Sequence, residues 1–431
     1  MDKMNLVERD RRAIWHPYTQ MKTADPPIAI ARGEGALLFD EDGRAYIDAI
    51  SSWWVCLHGH SHPHIAKKIQ EQLARLDHVI FAGFTHAPAV ELAERLLQKM
   101  PENHTKVFFS DNGSTAVEVG LKMAIQYWVN RGTEKRRIIA LENGYHGDTF
   151  GAMSASGRGA FVKPFAPFLF DVSYLPTPTP GHEEETLAAL NDALSKGDVA
   201  AFIFEPLVQG ASGMVMYAPD VLKDLLTLCR QHDVVTIADE VMTGFGRCGR
   251  FLAVDHQDVP PDIVCLSKGL TGGTLPMGAT SCSGDVYEAF HSDDKMHTFF
   301  HGHSFTANPI GCATALGSLD LLERDACWND IRRIEARHRS QIDSFRDHRL
   351  VRDARQTGTI LAVEIDSGNE TSYFNEIRDQ LYRFFLGTGV LLRPLGNVVY
   401  VLPPYCISND QLDTVYQSIH GALDVLAEQS S

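Results

Sequence analysis

Lys268 is a candidate for covalent chemistry because of its position in the chain. It follows an apolar run at residues 262–266, which predicts a buried strand, and it stands between Ser267 and Gly269. An amine at the end of such a strand is partly desolvated, which lowers its pKa and makes it a nucleophile towards carbonyl carbon. The alternative is a surface lysine whose ammonium group reaches solvent.

Two carboxylates follow a second predicted strand at residues 234–238. Asp239 and Glu240 come directly after it. A carboxylate at the end of a buried strand is costly unless a cationic group meets it. The alternatives are a structural ion pair and a helix cap.

A run of small residues at 110–115 follows a third predicted strand and opens directly into a helix. The N-terminus of a helix exposes backbone N–H groups and the positive end of the helix dipole, which suits a phosphate group. A plain N-cap formed by Asp111 or Ser114 explains the same residues equally well.

Together these three features match what pyridoxal 5′-phosphate requires. The lysine forms an imine with the aldehyde, the aspartate keeps the pyridine nitrogen protonated, and the helix N-terminus binds the phosphate. Ligands of α/β proteins bind beyond the carboxyl ends of the strands, where all three features lie. The sequence therefore predicts this cofactor, with Lys268 and Asp239 in contact with it.

The elements that must position these residues alternate between strand and helix. Short apolar runs separated by helices indicate βαβ units and a mostly parallel central sheet flanked by helices, which is an α/β fold. The predicted strands are 106–109, 138–141, 200–204, 234–238 and 262–266, and the predicted helices are 87–100, 114–130 and 219–232.

The pattern changes towards both ends of the chain. A hairpin-like stretch at 35–48 has its turn at Asp42 and Gly43. After about residue 320 the predicted elements are a helix at 328–347, strands near 358–365 and 397–402, and a helix at 372–387. We expect a smaller α+β domain built from both chain ends, because chain ends often meet. The predicted domains are 1–55 and 326–431 for the small domain, and 56–325 for the large one.

Charge and cysteine content limit the compartment and the partners. The 431 residues contain 39 Lys and Arg against 55 Asp and Glu, a net charge of −16, which disfavours nucleic acid and membrane surfaces. The N-terminus lacks the apolar segment of a secretory signal. The eight cysteines are scattered without a C-x-x-C pair, which favours reduced thiols and a cytoplasmic location.

Two further motifs are set aside. Histidines at 58, 60, 62 and 64 have the spacing of one face of a strand, but Gly59 and Pro63 break such a strand and no Cys or carboxylate completes a metal shell. We therefore predict no metal. The glycine-rich stretch at 269–273 lacks the spacing of a nucleotide-binding fingerprint.

Four motifs in fixed order resemble the class III, ornithine-type aminotransferases of pyridoxal-phosphate fold type I. They are NGYHG at 143–147, IADEVMTGFGR at 237–247, SKG at 267–269 and HGHSFTANP at 301–309. The resemblance runs from about residue 12 to residue 405. It implies that Lys268 holds the cofactor and moves the proton, that Asp239 pairs with the pyridinium nitrogen, and that Tyr145 stacks on the ring. Gly113 and Ser114 match the family's phosphate-binding turn.

The resemblance also implies a homodimer with shared active sites. Ser304 stands where the family usually has Thr, a hydroxyl that reaches the phosphate across the dimer interface. His303 stands where close relatives often have Pro. Gly302 belongs to the same segment and is expected to contact substrate.

A second group of motifs resembles the branch of this family that aminates 8-amino-7-oxononanoate in biotin biosynthesis, with S-adenosyl-L-methionine as the amino donor. These motifs are WHPYT at 15–19, SSWW at 51–54, RPLG at 393–396 and YVLPPY at 400–405. The resemblance implies that Arg393 binds the substrate carboxylate. It also implies that four aromatic residues line a substrate channel for a long aliphatic chain: Tyr18, Trp53, Trp54 and Tyr400. We assign Tyr18 to the catalytic set as well. Core packing is the alternative for Trp54 and Tyr400, and Glu205 and Arg247 are expected near the site.

Three alternatives remain open. The amino donor could be L-lysine, since HGHS at 301–304 resembles that branch. The enzyme could be another class III ω-aminotransferase, acting on ornithine, 4-aminobutyrate or a diamine. A non-catalytic binding protein of this fold is the third, against which Lys268 and Asp239 argue.

Overall fold

The computed structural model describes residues 4–159, 161–368, 375 and 377–429. Its strands, in chain order, are β1 (Ile30–Glu34), β2 (Leu37–Asp40), β3 (Ala45–Asp48), β4 (His104–Ser110), β5 (Arg137–Leu141), β6 (Val172–Leu175), β7 (Val199–Phe204), β8 (Val208–Gln209), β9 (Val215–Met216), β10 (Val235–Asp239), β11 (Ile263–Leu266), β12 (Gly278–Ser283), β13 (Val351–Thr357), β14 (Ile360–Ile365), β15 (Val390–Leu391) and β16 (Val398–Val401).

The α-helices are numbered in the same way. They are α1 (Leu6–Ala13), the kinked single turn α2 (Ser51–Trp54), α3 (Pro63–Leu73), α4 (Ala87–Leu97), α5 (Gly113–Asn130), α6 (Phe150–Ala155), α7 (Glu183–Leu194), α8 (Pro219–Gln231), α9 (Gly284–Glu288), α10 (Pro309–Leu322), α11 (Asp325–Arg346), α12 (Ile377–Gly387) and α13 (Asn409–Gln429). Within the described ranges, no helix has the length and hydropathy needed to cross a bilayer.

A seven-stranded sheet forms the centre of the molecule, with strand order β4-β12-β11-β10-β7-β5-β6. The four neighbouring pairs from β11 to β6 are parallel, and only β12 runs against its two neighbours. Every residue of β7, β10, β11 and β12 is buried, as expected for strands covered by helices on both faces. The predicted α/β class with a mostly parallel sheet is confirmed.

Helix α5 lies against this sheet through a small residue. A Cβ added at Gly120 would lie 3.0 Å from the Cys265 sulfur of β11, a tighter contact than Cβ atoms usually make, so glycine suits this close approach of helix and strand. This close packing places the N-terminus of α5 near the carboxyl ends of β10 and β11.

Two smaller sheets contain the residues near the chain ends. One has the order β1-β2-β3-β15, in which β15 pairs parallel to β3. The predicted hairpin corresponds to the antiparallel pair β2 and β3. The other sheet has the order β13-β14-β16. The domain boundaries after residues 55 and 325 stay predictions.

The sequence pattern missed two strands of the central sheet and left part of one helix untested. Strand β6 is only four residues long, and β12 is rich in small and polar residues (GATSCS) although it is buried, so neither shows the apolar run typical of a central strand. The helix predicted at 372–387 corresponds to α12; residues 372–374 and 376 lie outside the described residues.

Candidate active site

Lys268 lies immediately beyond the carboxyl end of β11, where Ser267 follows the strand and Lys268 opens a 3-10 helix, Lys268–Thr271. Its φ of 44° falls in the left-handed region, which is strained for a residue with a side chain and is frequent at functional sites. The Ser267 hydroxyl donates to the Met277 carbonyl at 2.7 Å and holds this turn. The Lys268 Nζ lies 4.6 Å from the centre of the Trp54 ring.

The surroundings of Lys268 favour the neutral amine. Desolvation lowers the pKa of Lys268 to about 8, although the carboxylates of Asp239 and Glu205 oppose this effect. A lysine with this pKa carries far more neutral amine near neutral pH than an exposed one does. The side chain therefore has the nucleophilic character that its place in the sequence predicts.

Asp239 is the last residue of β10 and is buried. Its Oδ1 accepts the Val241 N–H at 3.1 Å, and its Oδ2 lies 2.7 Å from Nδ1 of His146, whose ring is buried too. The sequence analysis gave His146 no role of its own, although it follows Tyr145 in the NGYHG motif. The structure makes it the direct partner of the aspartate.

The N-terminus of α5 forms another wall of the same site. Asn112 caps the helix by accepting the Thr115 N–H at 2.9 Å. A Cβ added at Gly113 would lie only 2.6 Å from Cγ1 of Val241, so the backbone passes close to the loop after β10. The Ser114 hydroxyl lies 2.8 Å from Oγ1 of Thr149 and accepts the Thr149 N–H at 3.0 Å.

These groups surround one cavity of about 640 Å³, and its lining includes Gly113, Ser114, Tyr145, His146, Glu205, Asp239 and Lys268. An amine, a buried carboxylate and a helix N-terminus thus face a common space. Among the described residues, the buried Nε2 of His146 finds no hydrogen-bond partner. The residues present fit pyridoxal phosphate: Lys268 would take the aldehyde, Asp239 the ring nitrogen and the start of α5 the phosphate.

Glu205 is buried in the wall of this cavity and holds two loops. Its Oε1 accepts the Tyr145 N–H and its Oε2 accepts the Gly210 N–H, both at 2.9 Å. Burial raises the pKa of Glu205 to about 7. The hydrogen bond to its N–H fixes the backbone of Tyr145. Burial also raises the pKa of the Tyr145 hydroxyl above its ordinary value.

Arg247 does not line the cavity. It is buried and donates to the carbonyl oxygens of Pro403 at 2.7 Å and Cys56 at 3.3 Å, with its guanidinium 5.0 Å from the centre of the Tyr405 ring. Its role in the structure is to hold the loop after β10 against segments from both ends of the chain.

A second cavity of about 350 Å³ adjoins the first and has mainly apolar and aromatic walls. Its lining includes Tyr18, Trp53, Trp54, Tyr145, Phe161, Lys268, Arg393, Leu395 and Tyr400. The two cavities share Trp54, Val55, Tyr145 and Lys268. The Arg393 guanidinium lies 4.5 Å from the centre of the Trp53 ring. We call this second cavity the channel.

Trp54 and Tyr400 belong to the core and to the channel at once. Both are buried, and the Trp54 indole N–H donates to the Tyr400 hydroxyl at 2.9 Å. The two interpretations left open by the sequence are therefore compatible, since one face of a buried aromatic ring can still border a cavity.

Tyr18 connects the N-terminal segment to the site. Its hydroxyl donates to the Asp148 carboxylate and lies 3.1 Å from the Tyr145 hydroxyl. Its ring meets those of Trp53 and Phe161 edge-on at 5.6 and 5.7 Å between centres. Sequence reasoning missed Asp148 and Phe161, and Phe161 lies in an irregular segment where spacing carries no signal.

The segment with Gly302, His303 and Ser304 is not part of either cavity wall. It forms a turn before α10, in which the His303 N–H donates to Oγ1 of Thr306 at 3.1 Å. Within a single chain the structure therefore does not bring these three predicted residues together with Lys268.

Known proteins resemble this chain over nearly its whole length. The family model "Aminotransferase class-III" matches residues 18–423. A relative from Synechococcus elongatus, named adenosylmethionine-8-amino-7-oxononanoate aminotransferase, is 47% identical and the match covers 95% of this chain and 98% of the relative. The solved structure of a protein of that name from Methanocaldococcus jannaschii superposes with a TM-score of 0.92 at 33% identity, over 97% of this chain and 98% of that one.

A second solved structure shows this fold together with its cofactor. An amine transaminase from an uncultivated Pseudomonas species, solved in its PLP-bound, internal-aldimine form, has a TM-score of 0.89 at 30% identity and matches 96% of this chain and 98% of its own. The fold is therefore that of the pyridoxal-phosphate transaminases, as expected. The chain belongs to the class III aminotransferases and uses pyridoxal phosphate as its cofactor.

Proposed function

We propose that this enzyme transfers an amino group from S-adenosyl-L-methionine to 8-amino-7-oxononanoate, giving 7,8-diaminononanoate in biotin biosynthesis. The names of the Synechococcus and Methanocaldococcus relatives support this reaction. The motifs at 15–19, 51–54 and 393–396 support it independently.

The chain's own residues divide the proton transfers between them. Pyridoxal phosphate supplies an electron sink for the carbon that bears the amino group. Lys268 Nζ takes the proton from that carbon and later returns one, for which a pKa near the working pH is suitable. Asp239, oriented by His146, holds the proton at the pyridine nitrogen. Glu205 fixes the backbone of Tyr145 at the mouth of the channel.

The channel is the observation that carries the choice of substrate. It offers an apolar, aromatic lining, the amine of Lys268 and the guanidinium of Arg393 within one space. A guanidinium suits a carboxylate, and aromatic walls suit a long aliphatic chain. An amino keto acid whose reacting carbonyl is separated from its carboxylate by a long aliphatic chain matches this combination.

Arg393→Ala tests the substrate assignment through the two half-reactions. We expect the amination of 8-amino-7-oxononanoate to fall by about a hundredfold, because the carboxylate loses its charge-assisted partner, while the reaction with S-adenosyl-L-methionine falls much less. Cofactor absorbance under single-turnover conditions measures each half-reaction. Arg32→Ala is the matched control, since Arg32 also stacks on an aromatic ring, Phe39, outside the channel. Equal losses in both half-reactions would contradict the assignment.

The donor is tested by adding each candidate alone to the cofactor-loaded enzyme. We expect S-adenosyl-L-methionine to convert the absorbance of the bound pyridoxal form to that of the pyridoxamine form. L-lysine is the competing donor, which the HGHS motif at 301–304 favours. Conversion by L-lysine and none by S-adenosyl-L-methionine would reverse the donor.

We also propose that the enzyme works as a homodimer with shared active sites. The support is that Gly302, His303 and Ser304 lie away from the cavity of their own chain. Neighbouring apolar side chains are exposed, with Phe300 68% and Phe305 63% accessible. Exposed aromatic residues beside a site segment are typical of an interface.

Mixed dimers test the shared site. We expect Lys268→Ala and Ser304→Asp homodimers to be nearly inactive, and remixed chains to recover about a quarter of the wild-type rate, because half of the dimers then contain one intact site. Recovery measured after mixed refolding supports the shared site. An active Ser304→Asp homodimer, or no recovery in chromatographically confirmed mixed dimers, would contradict it.

We place the enzyme in the cytoplasm. The support is that all eight cysteines are free thiols, seven of them buried or half-buried, as suits a reducing compartment. Cell fractionation with an antibody to the native protein tests this location, and recovery in an oxidising compartment would contradict it.

A further inference from the structure

The turn Ser51–Trp54 has an unusual backbone. Ser51, Ser52 and Trp54 have φ values of 53°, 60° and 67°, a region that residues with side chains rarely adopt. Such a conformation is strained and persists only where surrounding contacts enforce it. Ser52 is the most unusual, with ψ at −68°.

One buried carboxylate supplies the contacts to Ser52. Asp48, the last residue of β3, has a fully buried side chain. Its Oδ1 accepts the N–H groups of Ser52 at 2.8 Å and Ile50 at 3.3 Å, and its Oδ2 accepts the Ser52 hydroxyl at 2.9 Å. His60 Nε2 lies 2.8 Å from the same Oδ2 and completes the set.

The histidine is itself fixed from the opposite side. The backbone N–H of His60 donates to the carbonyl oxygen of Gly35, between β1 and β2, at 2.8 Å. A Cβ added at Gly33 would lie 2.7 Å from Cβ of His60, so the strand passes directly against it. The pair of Asp48 and His60 is thus a rigid support for the turn.

The turn determines where two tryptophans point. Trp53 lies under the Arg393 guanidinium at 4.5 Å, and the next residue, Trp54, lies under the Lys268 amine at 4.6 Å. The Ser51 hydroxyl ties the turn to the Leu402 carbonyl at 2.8 Å. A change in this backbone would therefore displace the two aromatic rings that lie against the guanidinium of Arg393 and the amine of Lys268.

We propose that Asp48, held by His60, is a positioning residue for substrate selection, which keeps the strained turn in the conformation that aligns Trp53 with Arg393 and Trp54 with Lys268. This inference rests on the proposed function, since it concerns the carboxylate-bearing substrate. Asp48 and His60 do not line either cavity, so they act through the turn.

Asp48→Asn is the primary variant. We expect the KM for 8-amino-7-oxononanoate to rise about ten- to a hundredfold, because small displacements of positioning groups cost reactivity on this scale. Cofactor affinity should stay within about twofold, and the reaction with a small amine without a carboxylate should fall less than the reaction with the keto acid. Near-ultraviolet circular dichroism of the tryptophans should change, which a general loss of stability in a still-folded enzyme does not produce.

Asp320→Asn is the matched control. Asp320 forms the same kind of pair with His64, also at 2.8 Å, away from both cavities. We expect its KM and its dichroism to match the wild type. Ser52→Gly should partly restore the KM of Asp48→Asn, because glycine adopts positive φ without strain.

Two results would overturn the proposal. One is an Asp48→Asn enzyme with the KM and dichroism of Asp320→Asn. The other is an equal loss with all substrates and no effect of Ser52→Gly. If Asp48→Asn does not fold, Ser52→Ala, which removes one hydroxyl donor, must show a smaller rise in the same KM. If the wild-type enzyme does not turn over the keto acid, the proposed function is wrong. The comparison of circular dichroism between Asp48→Asn and Asp320→Asn still tests the role of Asp48 in the turn.

Discussion

At the scale of single residues, the site depends on two buried groups of opposite character. Burial favours the neutral amine at Lys268, and the carboxylates of Asp239 and Glu205 oppose it. The balance leaves the pKa at about 8, close enough to neutrality for the amine to accept and return a proton. Asp239 remains compatible with its buried place because His146 and a backbone N–H meet both of its oxygens.

The first prediction concerns pH. In the cofactor-free enzyme, the rate of covalent capture of pyridoxal phosphate should rise with pH up to about 8 and then level off, because only the neutral amine attacks and its fraction saturates above its pKa. Well below that pH the rate should fall about tenfold per unit. Stopped-flow absorbance measures it, with Lys268→Ala as the background. A rise that continues to the ~10.4 of an ordinary lysine would contradict the desolvation of this side chain.

At the scale of elements, the site is made where strand ends meet a helix start. Strands β10 and β11 are parallel neighbours, so Asp239 and Lys268 leave the sheet at the same edge. Helix α5 approaches this edge because Gly120 and Gly113 let its backbone come close. A side chain at Gly113 would overlap Val241 of the loop after β10.

The second prediction tests this close approach. Gly113→Ala should weaken pyridoxal phosphate binding by about tenfold, because the added carbon lies 2.6 Å from Val241 and overpacking of this kind costs ~1–3 kcal/mol. Titration of the cofactor-free enzyme measures the affinity. The double variant Gly113→Ala, Val241→Ala should recover most of it.

Gly284→Ala is the control for that prediction. Gly284 also starts a helix, α9, but its nearest neighbour would lie 3.5 Å away, an ordinary contact. We expect its affinity to be unchanged. A wild-type affinity in Gly113→Ala would show that the backbone adjusts there at little cost.

At the scale of the whole molecule, segments from both ends of the chain meet at the channel. Strand β15 pairs with β3, so the residues before Arg393 lie beside those before the turn Ser51–Trp54. Tyr400 and Leu402 hold the same turn from β16 and the residue after it. The substrate end of the site therefore depends on contacts between segments more than 300 residues apart.

The third prediction concerns this junction. Leu392 is fully buried next to Arg393, and Leu392→Ala should lower the free energy of unfolding by ~2–5 kcal/mol through the lost contacts and the cavity left behind. It should also raise the KM for the keto acid, since Arg393 loses its support. Chemical denaturation and steady-state kinetics measure both. Leu73→Ala is the control, because this leucine is 56% exposed, and it should change the free energy of unfolding by no more than ~0.5 kcal/mol. Equal effects of the two variants on stability and KM would contradict the role of Leu392 in supporting Arg393.

Local sequence pattern was enough to predict the central sheet and its two main chemical groups. Buried strands such as β10 and β11 are mainly apolar, and Asp239 and Lys268 stand at or just after the end of each run, so they are visible without any tertiary information. The resemblance to a family added Tyr145, Gly113 and Arg393 through motifs of fixed spacing.

The tertiary structure alone decided which distant groups meet. The contacts of His146 with Asp239, of Tyr18 with Asp148 and of Trp54 with Tyr400 join residues 93 to 346 positions apart, and no periodicity within one segment records them. The same holds for β12, whose small residues are buried only because its neighbours cover them, and for the turn Ser51–Trp54, whose Ser51 hydroxyl donates to the Leu402 carbonyl 351 positions away. Hydrophobic pattern reports which side of an element is buried, whereas a contact between elements depends on the packing of the whole chain.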